Sequence, residues 1–271
     1  MKKILLIGYG KMGSAIVQGW VSNKLDIKIY VIEKEKINPK SVSKKKILFL
    51  NNFKSFIKLN LIVDYVFIAI KPQQLTKTKN DLKLIYNPKT IFISIVAGVS
   101  TKWFSDNLSK NIKIVRAMPN TPASVLKGVT GVFHSNNLLK SEINYINKIL
   151  KCIGKVIFLK KQNLIDVVTA ISGSGPAYFF FLTEILSKVG EKFGLSKKDS
   201  LEFSSSTFVG SATLFDKTKL SISKLRDNVT SPGGTTEAAL KILKHKDEGL
   251  EKLIEKTVEN AILKAKKLNK K

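Results

Sequence analysis

The segment from Thr230 to Leu240, TSPGGTTEAAL, combines residue types that could bind a small anion. Pro232 prevents a helix upstream, and Gly234 can serve as the N-cap of a helix that starts directly after it. Thr235 and Thr236 then lie in the first turn, beside backbone N–H groups that have no partner within the helix. Because such N–H groups attract anions, the segment predicts a binding site for a carboxylate, with a hydroxyl donor beside it.

A second pattern, Gly8-Tyr9-Gly10-Lys11-Met12-Gly13, follows the apolar run ILLI and precedes the helix-forming sequence SAIVQGW. In the dinucleotide fingerprint the first glycine makes a tight turn and the second lets a pyrophosphate approach the backbone. The third glycine lets the helix pack closely on the strand. The N-terminus of the helix adds free N–H groups for the phosphates. The sequence therefore predicts an NAD or NADP site at these six residues.

Residues after the second apolar run, IKIYVI, bear on the choice between NAD and NADP. Glu33 lies 20 residues after Gly13, where an acidic side chain would bind the ribose 2′-hydroxyl and favour NAD. Lys34 and Lys36 follow and could instead bind a 2′-phosphate. The preference is undecided on these residues, although Glu33 favours NAD.

Two further segments follow apolar runs, at the sheet edge where ligands bind in open α/β folds. In Ala69-Ile70-Lys71-Pro72 the proline keeps the preceding residue extended, so Lys71 should emerge at a strand end. The run Ile95 to Gly98 offers small residues against which a flat nicotinamide ring could lie. An ordinary turn is an equal alternative for either segment taken singly.

Two loops contain proline at positions that restrict the backbone. Arg116 to Pro122, RAMPNTP, has two prolines and could hold Asn120 and Thr121 as fixed hydrogen-bonding groups. Ser172 to Tyr178, SGSGPAY, interrupts a helical pattern, which costs stability unless packing or function compensates.

The fold class follows from the apolar pattern. Short runs of β-branched and aromatic residues alternate with amphipathic segments as far as Leu159, which predicts a mainly parallel sheet in an α/β layer fold. After a boundary near Lys160 and Lys161 the pattern is helical throughout, including one stretch from Thr235 to Lys270. We therefore predict an α/β domain at residues 1–160 and an all-α domain at 161–271. Small residues in SSSTFVGSAT predict close helix packing, within the chain or in a dimer.

Composition bears on partners and location. The formal net charge is +27, but only Arg116 and Arg226 are arginine and the lysines are spread along nearly the whole chain. Nucleic-acid sites usually cluster their basic residues, so we expect no nucleic-acid partner. The apolar run Ile4 to Ile7 is too short for a signal peptide, and no run approaches a membrane span. We expect a cytoplasmic protein without a membrane partner.

The residues that could bind metals or form covalent intermediates are few. Cys152 is the only cysteine and cannot form an internal disulfide. His134 and His245 are far apart and match no metal-ligand or Ser-His-Asp spacing. We expect no metal site and no covalent mechanism.

Six strings occur in a fixed order along the chain: GYGKMG, AIKP, VAG, RAMPNTP, SGSGPAY and SPGGTTEAAL. In this order they resemble the pyrroline-5-carboxylate reductase family, over a span from Ile4 to about Leu240. Many dehydrogenases share the first string, whereas the later strings in this order are highly specific.

The resemblance implies reduction of 1-pyrroline-5-carboxylate, a cyclic imine, to L-proline by hydride from NADH or NADPH, the last step of proline biosynthesis. It also implies a Rossmann-type N-terminal domain and an all-α C-terminal domain that forms a homodimer or a larger homo-oligomer. The alternative is a reductase of another small cyclic imine or carboxylate-bearing substrate. Oligomer size, coenzyme preference and feedback inhibition by proline remain open.

The resemblance also implies site residues. The coenzyme contacts would be Gly8, Tyr9, Gly10, Lys11, Met12, Gly13, Lys34, Asn52, Ala69, Lys71, Pro72, Ile95 and Ala97. The substrate contacts would be Asn120, Ser231, Gly233, Gly234, Thr235 and Thr236. Thr236 would orient or protonate the ring nitrogen, and Lys71 is the second catalytic candidate, with its role left open.

Overall fold

The computed structural model of the chain describes residues 1–35 and 46–268. It divides into two compact units, one formed by Met1–Ser174 together with the chain from Ala261 onward, and one formed by Gly175–Asn260. The packing thus places a division after Ser174, whereas the sequence predicts a domain boundary near Lys160 and Lys161. That boundary stays a prediction.

The first unit contains an eight-stranded sheet in the order β3-β2-β1-β4-β5-β6-β7-β8. The strands are β1 Lys2–Ile7, β2 Ile27–Ile32, β3 Ile47–Leu50, β4 Tyr65–Ile68, β5 Ile91–Ser94, β6 Lys113–Met118, β7 Gly128–His134 and β8 Gly154–Phe158. Each overlaps one of the short apolar runs before Leu159, so the α/β Rossmann-type class is confirmed. β6 and β7 pair antiparallel, a reversal that the sequence analysis does not predict.

Helices cover both faces of this sheet. They are α1 Lys11–Ser22, α2 Phe53–Ile57, α3 Pro72–Lys77, α4 Lys79–Leu84, α5 Thr101–Asn107, α6 Lys140–Lys151 and α7 Leu164–Val168. Successive residues of β1 point to opposite faces: Ile4 and Leu6 pack in the apolar cluster with α1 and α6, and Leu5 and Ile7 pack in the cluster with α2 to α5. A sheet buried on both faces explains why the strands are nearly continuous apolar runs.

The strand order changes direction at β1, which places a topological switch point between β1 and β4. The strand ends there are joined by backbone hydrogen bonds: Gly8 N–H donates to the Ile32 carbonyl at 2.9 Å, and Ala69 N–H donates to the Ile7 carbonyl at 2.8 Å. Ile95 N–H donates to the Ile68 carbonyl at 3.1 Å. The segments that follow β1, β2, β4 and β5 therefore emerge at one edge.

The second unit is helical, with α8 Gly175–Lys192, α9 Lys197–Lys217, α10 Ile222–Asn228 and α11 Thr235–Leu243, and α12 Leu250–Leu268 begins within it. Small residues let α8 and α9 approach closely, because the Ser200 hydroxyl donates to the Ser187 carbonyl at 2.6 Å and both residues are buried. Ser204 of the SSSTFVGSAT run is buried as well. The all-α class of this region is confirmed. Within the small-residue run Ser204 alone is buried and residues 209–213 are exposed, so a dimer contact for the rest of the run stays a prediction.

One expectation about the helices is wrong. The stretch from Thr235 is not one helix: α11 ends at Leu243, a turn follows, and α12 begins at Leu250. Gly249 allows the turn, because a Cβ there would lie 2.7 Å from the Leu243 carbonyl oxygen. Lys270, where the predicted stretch ends, lies outside the described residues.

One helical stretch bears on the expectation of no membrane partner, which stays a prediction. The 29 residues Leu164–Lys192, helical through α7, a π-helical turn at Thr169–Gly173 and α8, are long and apolar enough to cross a membrane by length and composition alone. Scattered polar residues interrupt its apolar runs, so the stretch has no long continuous apolar run. Its mean hydropathy nevertheless stays high. Core helices of proteins that never enter a membrane pass the same test.

Candidate active site

The three glycines of the Gly8 to Gly13 loop meet three different steric demands. Gly8 has a φ of +95°, and a Cβ there would lie 2.6 Å from the Ala69 carbonyl oxygen. A Cβ on Gly13 would overlap the Gly8 carbonyl oxygen, so α1 can pack against the loop only with glycine there. Gly10 has no atom within 4 Å of its Cβ position. The backbone at Gly10 is thus open to a ligand, as a pyrophosphate requires.

A cavity of about 570 Å³ opens at this edge of the sheet. It brings together six of the predicted coenzyme contacts: Gly8, Tyr9, Gly10, Lys34, Ala69 and Lys71. Glu35, Gln74 and Lys77 also line it, and the sequence analysis missed all three. Gln74 could have been recognised from the sequence, because it stands two residues after Pro72 at the start of a helix. Its side chain accepts from Lys71 N–H at 3.0 Å and so helps to start α3.

Glu33 is held firmly at the end of β2. Its Oε2 accepts from Tyr9 N–H at 2.7 Å, and its Oε1 accepts from Lys34 N–H at 2.7 Å and from Glu35 N–H at 3.3 Å. The Tyr9 ring lies edge-on against Phe49 at 5.3 Å between centroids, and burial raises the pKa of the Tyr9 hydroxyl. Glu33 therefore connects the glycine loop to the end of β2. Lys36, the other candidate for a 2′-phosphate, lies outside the described residues.

The remaining predicted coenzyme contacts lie around the cavity and are not part of its lining among the described residues. Lys11, Met12 and Gly13 form the first turn of α1, Pro72 opens α3, and Ile95 and Ala97 follow β5. Asn52 caps α2, because its Oδ1 accepts from Ser55 N–H at 2.9 Å. Since β3 ends beside β2, this cap lies on the same side as Glu33. A role for these residues in coenzyme binding stays a prediction.

Asn120, a predicted substrate contact, has a structural partner in the first unit. It is buried, and its Oδ1 accepts from Val129 N–H at 2.8 Å, so its side chain connects the RAMPNTP loop to the start of β7. Its amide nitrogen and the second lone pair of Oδ1 could bind another partner. Contact with substrate stays a prediction.

Arg116, in the same string, is buried in β6. Burial lowers the pKa of its guanidinium, and the negative charge of Asp166 on α7 acts in the opposite direction. Its Nη2 has no hydrogen-bond partner among the described residues. Asp166 could not be predicted from the sequence as a neighbour of Arg116, because its position beside β6 depends on tertiary packing.

The predicted carboxylate loop lies in the second unit and has the expected helix start. Gly233 has a φ of +70°, and Gly234 is the N-cap of α11. The Glu237 carboxylate accepts from Gly233 N–H at 2.7 Å, which leaves the N–H groups of Thr235 and Thr236 in the first turn for another acceptor.

The Thr236 side chain is half-buried at the second helical position, while Ser231 and Thr235 are exposed. A backbone hydrogen bond closes the turn: Gly234 N–H donates to the Ser231 carbonyl at 3.0 Å. It can bind a carboxylate through two backbone N–H groups and place a hydroxyl next to it.

Comparisons with known proteins cover both units. A family model described as pyrroline-5-carboxylate reductase dimerisation matches residues 162–268, and one described as NADP oxidoreductase coenzyme F420-dependent matches residues 3–98. A pyrroline-5-carboxylate reductase of Staphylococcus epidermidis is 34% identical over 248 residues, which is 90% of each chain. Pyrroline-5-carboxylate reductase 1 of Bacillus subtilis is 29% identical over 99% of this chain and 90% of that protein.

Solved structures agree. The structure of a pyrroline-5-carboxylate reductase from Coxiella burnetii matches with a TM-score of 0.88 and 34% identity, covering 99% of this chain and 98% of that one. A pyrroline carboxylate reductase of Plasmodium falciparum, crystallised with NADP bound, matches with a TM-score of 0.80 and 28% identity over the same shares. The likeness therefore extends over the described residues of both units.

Proposed function

Because the chain belongs to the pyrroline-5-carboxylate reductase family, we propose that it reduces 1-pyrroline-5-carboxylate to L-proline with NADH or NADPH, the last step of proline biosynthesis. The observation that carries this proposal is the glycine loop, which opens at Gly10 onto a cavity of about 570 Å³ at the switch point of the sheet. The carboxylate loop before α11 supplies a matching site for an acidic substrate.

Residues of the first unit would bind the coenzyme, which supplies the hydride when bound. The loop Gly8 to Gly13 and the N-terminus of α1 would hold the pyrophosphate, and Lys34 and Asn52 would lie near the adenosine. Ala69, Lys71, Pro72, Ile95 and Ala97 would line the nicotinamide side. The rigid start of α3, where Gln74 accepts from Lys71 N–H, keeps that side fixed.

Residues of the second unit would bind the substrate. Backbone N–H groups in the segment Ser231 to Thr236 would hold its carboxylate, and Asn120 of the first unit would be a further contact. The reaction adds a hydride to the C=N carbon and leaves the proton on nitrogen. Because a protonated imine is already electrophilic, the protein chiefly aligns the reactants. The Thr236 hydroxyl would orient the ring nitrogen or protonate it, and Lys71 is the second catalytic candidate.

The protein would act as a homodimer or larger homo-oligomer. α8 exposes large apolar side chains around most of its circumference, and only Gly175 and Ser187 on it are buried. A helix that is apolar on all sides is stable when it is covered, and the dimerisation model includes all of α8. We propose that a second copy, and not a membrane, covers this helix, and that the enzyme is cytoplasmic and has no nucleic-acid partner.

The test is oxidation of NADH or NADPH by the purified full chain with 1-pyrroline-5-carboxylate, with proline measured as product. The matched control substrate is 1-pyrroline, which has the imine without the carboxylate and should react far more slowly. Absence of turnover with either coenzyme, on protein shown to bind that coenzyme, would contradict the proposal.

A further inference from the structure

We propose that Glu33 makes NADH the preferred coenzyme of this enzyme, by accepting a hydrogen bond from the ribose 2′-hydroxyl and repelling the 2′-phosphate of NADPH. The inference rests on the proposed function for the place where the coenzyme binds.

The backbone fixes where Glu33 stands. Its N–H donates to the Leu50 carbonyl at 3.0 Å, which continues the pairing of β2 with β3. The neighbouring Ile32 carbonyl accepts from Gly8 N–H at 2.9 Å. Glu33 thus lies beside the glycine loop at the end of β2, and it lines the cavity. In dinucleotide-binding folds the adenosine ribose lies at this position.

The side chain of Glu33 is fixed as well. Three backbone N–H groups, those of Tyr9, Lys34 and Glu35, donate to its carboxylate at 2.7, 2.7 and 3.3 Å. A carboxylate offers about four lone-pair positions, so Oε2, with one donor, can accept a further hydroxyl. A swing of the side chain away from the site would leave these N–H groups without their acceptor, which carries a cost. Glu33 can therefore accept a hydrogen bond from a 2′-hydroxyl, and it cannot easily move to make room for a 2′-phosphate.

The same contacts remove donors that a phosphate would need. A 2′-phosphate would require N–H or cationic groups after β2. Of the described residues there, 33–35, the N–H groups of Lys34 and Glu35 already bind the Glu33 carboxylate. A 2′-phosphate would also bring its negative charge next to a fixed negative charge, which is unfavourable at short range.

Among the described residues after β2, Lys34 is the competing cation. Its side chain is exposed and follows Glu33 directly, so it could approach a 2′-phosphate. It would lose side-chain entropy on doing so, and the exposed Glu35 beside it reduces the local positive charge. Because the Glu33 carboxylate is already fixed and Lys34 must be ordered, the geometry favours NADH.

Equilibrium binding of NADH and NADPH to the full chain, measured by calorimetry without substrate, tests the inference. The wild type should bind NADH about tenfold or more tightly than NADPH, equal to about 1.4 kcal/mol. Glu33→Gln should tighten NADPH binding and weaken NADH binding, so that the ratio of the two dissociation constants falls by about tenfold or more. The matched control, Asp26→Asn, removes a carboxylate at the other end of β2, at an exposed position outside the cavity lining. It should change the ratio by less than about twofold.

Two results would overturn the inference: a wild type that binds NADPH at least as tightly as NADH, or a ratio that Glu33→Gln leaves unchanged. The first uses only the wild type, so the inference remains testable even if Glu33→Gln does not fold. Failure of the proposed function is distinguishable, because it appears as absent turnover of 1-pyrroline-5-carboxylate while the binding ratio keeps its expected value.

Discussion

Gly8 and Ala69 approach so closely that no side chain fits between them: a Cβ on Gly8 would lie 2.6 Å from the Ala69 carbonyl oxygen and 2.9 Å from its carbonyl carbon. The contact joins the turn after β1 to the end of β4 at the switch point. It also fixes the height of the loop above the sheet, and hence the place where Gly10 meets a ligand.

Gly8→Ala should destabilise the protein. The new methyl group would meet backbone atoms that cannot yield easily, and the φ of +95° is strained for any L side chain. We expect the free energy of unfolding to fall by about 2–4 kcal/mol, measured by urea denaturation. A variant as stable as the wild type would show that the loop can move away from Ala69.

Gly10→Ala is the matched change in the same loop and should have the opposite profile. Its Cβ position has no neighbour within 4 Å, so the free energy of unfolding should change by less than about 0.5 kcal/mol. The methyl group would, however, stand where the pyrophosphate approaches, and coenzyme affinity should fall about tenfold or more. Calorimetric titration with the preferred coenzyme measures this, and unchanged affinity would refute the assignment of the loop.

Thr236→Ala should slow turnover and leave coenzyme affinity nearly unchanged. Loss of one hydrogen bond to the reacting nitrogen is worth about 1–3 kcal/mol, or about 5- to 150-fold in kcat/KM. Steady-state kinetics and coenzyme titration measure the two effects separately. Thr236→Ser keeps the hydroxyl and should retain most of the activity. A tenfold loss of coenzyme affinity in Thr236→Ala would contradict the assigned role.

The sequence predicted the strands well, because most are buried apolar runs whose composition depends on burial and not on their neighbours. β8 is an exception, since Ile157 and Phe158 are exposed. It could not predict that β7 runs antiparallel to β6, since a buried run has the same composition in either direction. The break between α11 and α12 was visible in principle at Gly249, in the stretch His245 to Gly249, but a continuous helical period on both sides concealed it.

The site shows the same contrast. The glycine loop was predictable, because each glycine is required by its local steric surroundings and the three occur at a fixed spacing. The contact of Glu33 with Tyr9 N–H was not, because it depends on how close the ends of β1 and β2 come in the folded sheet. Asn120 has a structural contact that its residue type did not predict: its Oδ1 accepts from Val129 N–H, which comes near only in the folded chain.

Phe180→Glu should weaken self-association. Phe180 is 61% exposed on α8 and lies near Phe208 of α9, with 6.3 Å between ring centroids. A charge buried in an apolar interface without a partner is costly. We expect a shift toward monomer in sedimentation velocity. The control is Leu84→Glu, which puts the same charge on an apolar residue of α4 that is 71% exposed. If both variants keep the wild-type assembly, α8 is not the interface.

Asp64→Asn should destabilise the protein at neutral pH and have little effect in acid. The Asp64 carboxylate accepts from the Lys2 ammonium at 2.7 Å and from Lys3 N–H at 2.8 Å. Burial raises the pKa of Asp64, but these hydrogen bonds and the charge of Lys2 outweigh it, so the pKa lies below the ordinary value of 3.8.

A carboxyl whose pKa is lower in the folded state stabilises the fold above its unfolded pKa, and the stabilisation is lost as the pH falls through the folded pKa. The free energy of unfolding of the wild type should therefore exceed that of Asp64→Asn by about 1 kcal/mol at pH 7. This figure is reduced because the side chain is partly exposed. The difference should shrink only as the pH falls below 3.8. Urea denaturation at a series of pH values measures it. Asp26→Asn is the control, because Asp26 is exposed and its ion pair with Lys46 is longer, at 3.4 Å. A stability difference for Asp64→Asn that stays constant across this range would show that the loss comes from packing and not from the charge.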